Sequence, residues 1–69
     1  MPSVGLGVQE IRVRDERGAF RVFYVVKFEE AVYVLHVFPK CSQKTARADL
    51  DLGKSRYVDL VKWRREEGL

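Results

Sequence analysis

Residues 19–38 read AFRVFYVVKFEEAVYVLHVF, and their texture decides the fold. Two runs rich in Val, Phe and Tyr flank the polar pair Glu29-Glu30. Such residues suit a pleated, half-buried surface, and the break is short enough for a tight hairpin. Side chains alternate between faces along a strand. Phe20, Val22, Tyr24, Val26 and Phe28 therefore share one face of the first run, and Arg21, Phe23, Val25 and Lys27 share the other. In the second run Ala31, Tyr33, Leu35 and Val37 oppose Val32, Val34, His36 and Phe38. Both faces are largely apolar, which predicts central strands covered on each side. Arg21 and His36 interrupt that pattern, and a cation and an imidazole among apolar neighbours mark the place to look for chemistry.

Working outward towards the N-terminus, residues 8–14 (VQEIRVR) alternate, with Ile11 and Val13 on one side and Glu10, Arg12 and Arg14 on the other. This is a strand with one wet face, nearer the edge of the sheet. Asp15-Glu16-Arg17-Gly18 is a turn in which Gly18 supplies positive φ. Residues 1–7 (MPSVGLG) form an irregular lead-in. Three strands over residues 8–38 joined by short turns make an antiparallel meander.

Towards the C-terminus, Pro39 lacks an amide proton, so strand pairing is expected to fail there. Residues 39–44 (PKCSQK) read as a basic loop. Thr45 is the expected N-cap of a helix over residues 45–66, with Asp49 and Asp51 near the positive end of its dipole. Ala46, Leu50, Gly53, Tyr57, Leu60 and Val61 recur at helical spacing. Gly53 costs about 1 kcal/mol against Ala in a helix interior, so its presence predicts close approach to the sheet. The expected architecture is α+β: β-β-β-α, with the helix packed on one sheet face.

The chain has 69 residues, 46% of them hydrophobic and 33% charged, and a net charge of +3. That length makes one small domain, and the composition argues against disorder. No apolar run approaches the roughly 20 residues needed to cross a bilayer, and no secretory h-region opens the chain. The single cysteine, Cys41, excludes an internal disulfide and a CxxC pair, so the expected compartment is the cytoplasm and no metal or cofactor is expected. The mild positive charge suits an anionic partner.

Three blocks, EIRVRD (10–15), FRVFYVV (20–26) and VYVLHVFPKCSQKT (32–45), followed by a basic helix, resemble the HigB-like, phage-derived branch of the RelE/ParE toxin superfamily. The family pattern is a strand ending in E-[LI]-R, a second carrying [YF]-R-[VA]-x-Y, and a third reading [LV]-H-x-F-x-K-K-[ST]-x-K-T. Glu10, Ile11 and Arg12 match the first. Phe20, Arg21, Val22 and Tyr24 match the second. Leu35, His36, Phe38, Lys40, Ser42, Lys44 and Thr45 match the third, where Cys41 replaces the second Lys. The family also carries a helical hairpin ahead of its first strand, for which the seven residues before Val8 leave no room. The resemblance implies the toxin of a type II toxin–antitoxin module, often a metal-independent endoribonuclease that cuts mRNA on the ribosome. It implies as partner an antitoxin with a helix-turn-helix domain.

Metal-free RNA cleavage needs a base near the 2′-hydroxyl, an acid near the leaving 5′-oxygen, and cations around the developing charge. Arg21 offers a planar fork of donors to phosphate. His36 is suited to act as acid or base, and Lys40 to serve either role or to hold the backbone. These three are the candidate catalytic residues. Arg12, Arg14 and Lys44 are the candidate RNA contacts. Each has a plain structural alternative: a hydrogen-bonded core histidine, a strand arginine that keeps its head in water, lysines that solubilise a loop. The aromatic residues Tyr24, Tyr33, Tyr57 and Trp63 read as packing residues. A second functional reading remains open at this point, a non-enzymatic binding module that pairs with antitoxin or with itself, or a ParE-like inhibitor of DNA gyrase. One helix covers one face only, so the sequence also predicts a homodimer or an antitoxin complex that buries Phe23, Val25 or Val34.

Overall fold

A computed structural model describes residues 3–40 and 44–69. Three antiparallel strands, β1 (Val8–Asp15), β2 (Gly18–Val25) and β3 (Tyr33–Pro39), form a sheet of order β1-β2-β3, followed by one helix, α1 (Arg47–Glu66). The expected α+β meander is therefore the fold. Its hairpin is looser than the sequence implies. β2 stops at Val25 and β3 starts at Tyr33, so Val26 to Val32 form a connecting loop instead of strand continuing to a two-residue break. The β1–β2 turn is tighter. Asp15 pairs with Gly18, the Arg17 amide donates to Asp15 Oδ1 at 2.8 Å, and Gly18 has φ +136°.

Register assigns the faces. Residues directly opposite in an antiparallel ladder share a face. Glu10, Phe23 and His36 stand in one row, and Arg12, Arg21 and Phe38 in the next. On the reverse face Ile11, Val22 and Val37 align. Strict alternation would separate Leu35 from His36 and Phe38, and that expectation fails. The β2–β3 register shifts between Phe23 and Tyr24, Phe23 pairing with His36 and Tyr24 with Val34, so Leu35 is the extra residue of a bulge. One added residue reverses the parity of everything beyond it. Leu35 and Phe38 are both buried as a result, and Val37 is exposed. Pro39 also departs from expectation. It is the last strand residue, opposite Phe20, and the pairing ends only at Lys40, whose amide donates to Ala19 O at 2.9 Å. β3 is an edge strand, where a missing amide proton is tolerated.

The core lies between the Arg21 face and α1. Val4, Val8, Phe23, Val25, Leu35 and Phe38 are buried, with Phe28, Leu50, Tyr57 and Leu60 packed around them. Each large apolar side chain so removed from water contributes about 1.5–3 kcal/mol. At Gly53 the helix lies close against the sheet: a Cβ there would stand 2.7 Å from Phe23 Cδ2 and 3.3 Å from Val4 Cγ1. Val4 comes from the lead-in, whose polar punctuation conceals a core residue. The expectation that both sheet faces are covered is not met. Ile11, Val13, Val34 and Val37 on the reverse face are 44–60% exposed.

The helix begins at Arg47 with Ala46 as N-cap and no side-chain cap bond, so Thr45 does not cap it. Its far end is fastened to the β2–β3 loop. Arg64 Nε and Nη2 donate to the Glu30 carboxylate at 2.6 and 3.0 Å, Tyr33 donates its hydroxyl to the same carboxylate at 2.7 Å, and the Arg64 guanidinium lies 3.6 Å from the Phe28 ring centre. Hydrogen bonds from Arg64 and then Tyr33 lower the Glu30 pKa to about 2. The same contact raises the Tyr33 pKa. α1 is not long and apolar enough to cross a membrane.

Candidate active site

Arg21 sits at the middle of the central strand under the start of α1, and is 4% exposed. Its Nη1 donates to both Glu10 oxygens, at 3.1 and 3.2 Å, and to Thr45 Oγ1 at 3.0 Å. Thr45 in turn donates to Glu10 Oε2 at 3.2 Å. A buried guanidinium must be paired, and this triangle both neutralises it and fixes its plane. Thr45 is thus spent on the sheet, which explains why the helix lacks a side-chain cap.

In the first turn of the helix, Asp49 Oδ1 lies 2.9 Å from His36 Nε2. Arg56, two turns further on, donates through Nη1 to Leu35 O at 2.9 Å and stands 3.5 Å from His36 Nδ1. The Phe38 ring stacks on the imidazole at 4.6 Å between centres and 20° between planes. The bulge makes this possible, because without it His36 and Phe38 would face away from α1. Arg56 closes the open carbonyl of the bulge residue on an edge strand.

Between these two groups is a small cleft of about 110 Å³ lined by Arg21, Phe38, Pro39, Lys44, Thr45, Ala46 and Asp49. It is an anion-sized space with a fixed guanidinium, a lysine and a carboxylate on its walls. His36 is not among the lining residues, and meets the cleft through Asp49 and the stacked ring of Phe38. Lys40 follows Pro39 at its edge. Arg12 stands opposite Arg21 in the ladder and Arg14 opposite Ala19, both solvent-exposed at the same end of the sheet. Cys41 and Ser42, both part of the third sequence block, lie outside the described residues. Among the described residues no group of three or more His, Cys, Asp or Glu gathers as a metal site.

The structure therefore brings Arg21 and Lys44 together, sets Arg12, Arg14 and Lys40 around them, and ties His36 to the site at one remove. Glu10, Thr45, Asp49 and Arg56 complete the constellation. Glu10 and Thr45 were visible in the matching blocks, and Asp49 as a first-turn acid. Nothing in the sequence around Arg56 distinguishes it from the other helix cations.

Residues 1–58 match the family described as Phage derived protein Gp49-like (DUF891). The chain belongs to this family. Gp49-like proteins are RelE/ParE-like toxins, and membership is consistent with the toxin role in a toxin–antitoxin module. The match covers all three strands, the cleft and the Asp49–His36–Arg56 group. Comparison with curated proteins finds no match, and neither does comparison with solved structures.

Proposed function

We propose that this Gp49-like chain is the toxin of a type II module, of the HigB-like branch, and cleaves mRNA as a metal-independent endoribonuclease. The observation that carries the reading is the cleft itself: a buried, immobilised Arg21 and a rim lysine, Lys44, beside a carboxylate, with exposed Arg12 and Arg14 at the same end of the sheet. Preorganised donors aimed at a phosphate need no reorganisation as charge develops, and a strand is a rigid mount for them. In the reaction Arg21 and Lys44 hold the scissile phosphate. Arg12, Arg14 and Lys40 hold the neighbouring backbone.

Two partners follow. A helix-turn-helix antitoxin is the partner of the module. A second copy of the chain is the partner of the reverse sheet face, where Ile11, Val13, Phe20, Val22, Val34 and Val37 form an apolar surface without a charged residue among them. A two-fold contact sets a face against itself, and the apolar centre of this one is self-complementary, with Asp15 and Gln9 only at the two ends of β1. The dimer surface differs from the one anticipated from sequence: Phe23 and Val25 are buried under α1, and of the three residues named only Val34 is exposed.

The test is controlled expression in bacterial cells with growth and mRNA integrity followed together, the antitoxin being the neighbouring helix-turn-helix gene product. Growth arrest with fragmented mRNA, relieved by antitoxin, is the expected result. Intact growth and intact mRNA with antitoxin still bound would defeat the enzyme reading in favour of a binding module. Arrest with intact mRNA and broken DNA would indicate gyrase as target.

A further inference from the structure

The imidazole of His36 is enclosed on both nitrogens. Nε2 meets Asp49 at 2.9 Å and Nδ1 faces Arg56 at 3.5 Å, while one ring face is stacked on Phe38. Arg56 carries only donors, so this geometry favours the tautomer with the Nδ1 lone pair towards it and the ring proton on Nε2, directed at Asp49. A histidine so held has no nitrogen to offer a substrate. The Asp49 side chain is 29% exposed against 11% for His36, and Asp49, unlike His36, lines the cleft.

We infer that Asp49 is the general base of the cleft and that His36 and Arg56 are positioning residues that aim it. The inference rests on the ribonuclease reading and deepens it. The Asp49 carboxylate takes the proton of the ribose 2′-hydroxyl as O2′ bonds to phosphorus. The P–O5′ bond breaks, and the departing O5′ takes a proton from the ammonium of Lys44 across the cleft. The products are a 2′,3′-cyclic phosphate and a 5′-hydroxyl, with no metal or redox partner needed. Arg21, itself paired with Glu10, donates hydrogen bonds to the phosphate, and the positive charge of Lys44 offsets the repulsion between phosphate and carboxylate. α1 supplies base and clamp together, Asp49 and Arg56 being two turns apart on the side that faces β3.

The experiment measures single-turnover cleavage of an mRNA on purified ribosomes and of the same RNA free, for wild type, Asp49→Asn, His36→Gln and His36→Ala, each first matched to the wild-type circular dichroism spectrum. Asp49→Asn keeps the hydrogen-bond acceptor but loses the base, and cleavage falls about 100- to 10,000-fold. His36→Gln retains an amide donor to Asp49 and stays within about tenfold of wild type, the span of roughly one weakened hydrogen bond. His36→Ala falls well below it. Nitrogen NMR of the wild type places the His36 proton on Nε2. A His36→Gln enzyme as inactive as Asp49→Asn, or a proton on Nδ1, overturns the inference while the ribonuclease reading stands. A folded wild type that cuts neither RNA removes the ribonuclease reading and the base with it.

Discussion

Arg21 and Glu10 face each other diagonally across the β1–β2 ladder, one arginine nitrogen lying 3.1 and 3.2 Å from the two carboxylate oxygens. The pair is at once an internal salt bridge of the sheet and the floor of the cleft. Burying it removes two ions from water, and the charges are tolerated because each satisfies the other. Glu10→Ala leaves the guanidinium buried and uncompensated, and lowers stability by about 3 kcal/mol. Urea unfolding of the single variant and of Glu10→Leu/Arg21→Met checks this. The double variant recovers most of the loss, because two apolar side chains remove both desolvation costs.

Arg21 also serves the reaction, beyond its part in the buried pair. Arg21→Ala lowers cleavage about 100- to 1000-fold, and Arg21→Lys restores little because an ammonium cannot reproduce the planar fork. Lys62→Ala, on the exposed side of α1 away from the cleft, leaves the rate unchanged. Rates are compared only among variants with the wild-type circular dichroism spectrum.

At Gly53 helix propensity and packing pull in opposite directions. Alanine would gain about 1 kcal/mol in a free helix. Here the new methyl falls 2.7 Å from the ring of Phe23, which is 0% exposed and has nowhere to move. Gly53→Ala therefore destabilises the protein by about 1–3 kcal/mol. Adding Phe23→Leu to it recovers part of the loss in thermal unfolding.

The Glu30–Arg64 fastening is acid-sensitive. Glu30 is lowered from 4.5 to about 2 in the folded chain, so its contribution is fully present above pH 4.5 and is lost as pH falls towards 2. Stability curves of wild type and Glu30→Gln converge across that window, and added salt narrows the gap because the site is near the surface. A constant difference between the two from pH 6 to pH 2 would contradict the assignment.

The apolar reverse face predicts association. Light scattering of the wild type at micromolar concentration reports a dimer, and Val37→Asp on that face yields a monomer with an unchanged circular dichroism spectrum. A monomeric wild type under the same conditions refutes the dimer.

Much of this protein is determined locally. The β-branched and aromatic runs make strands, Asp15 to Gly18 makes the turn, and the spacing of Leu50, Gly53, Tyr57 and Leu60 makes a helix whose one glycine meets the sheet. These follow from the preferences of neighbouring residues, and the sequence alone determined them, together with the family blocks and the place of Arg21 and His36 in them. What it could not determine is everything that depends on register. A single bulge at Leu35 turns His36 and Phe38 towards α1, puts Arg12, Arg21 and Phe38 in one row, and leaves Val37 in solvent. Period-2 alternation contains no marker for an inserted residue, so the faces of β3 were legible only as two sets and not as sides. Long-range pairing likewise took Thr45 from the expected helix cap to the Glu10–Arg21 pair, because a buried charge gains more from the hydroxyl than a solvent-exposed helix end does. Tertiary structure alone decided that His36 reaches the cleft through Asp49, since those two residues, thirteen apart in sequence, meet only when the helix lies back across the sheet.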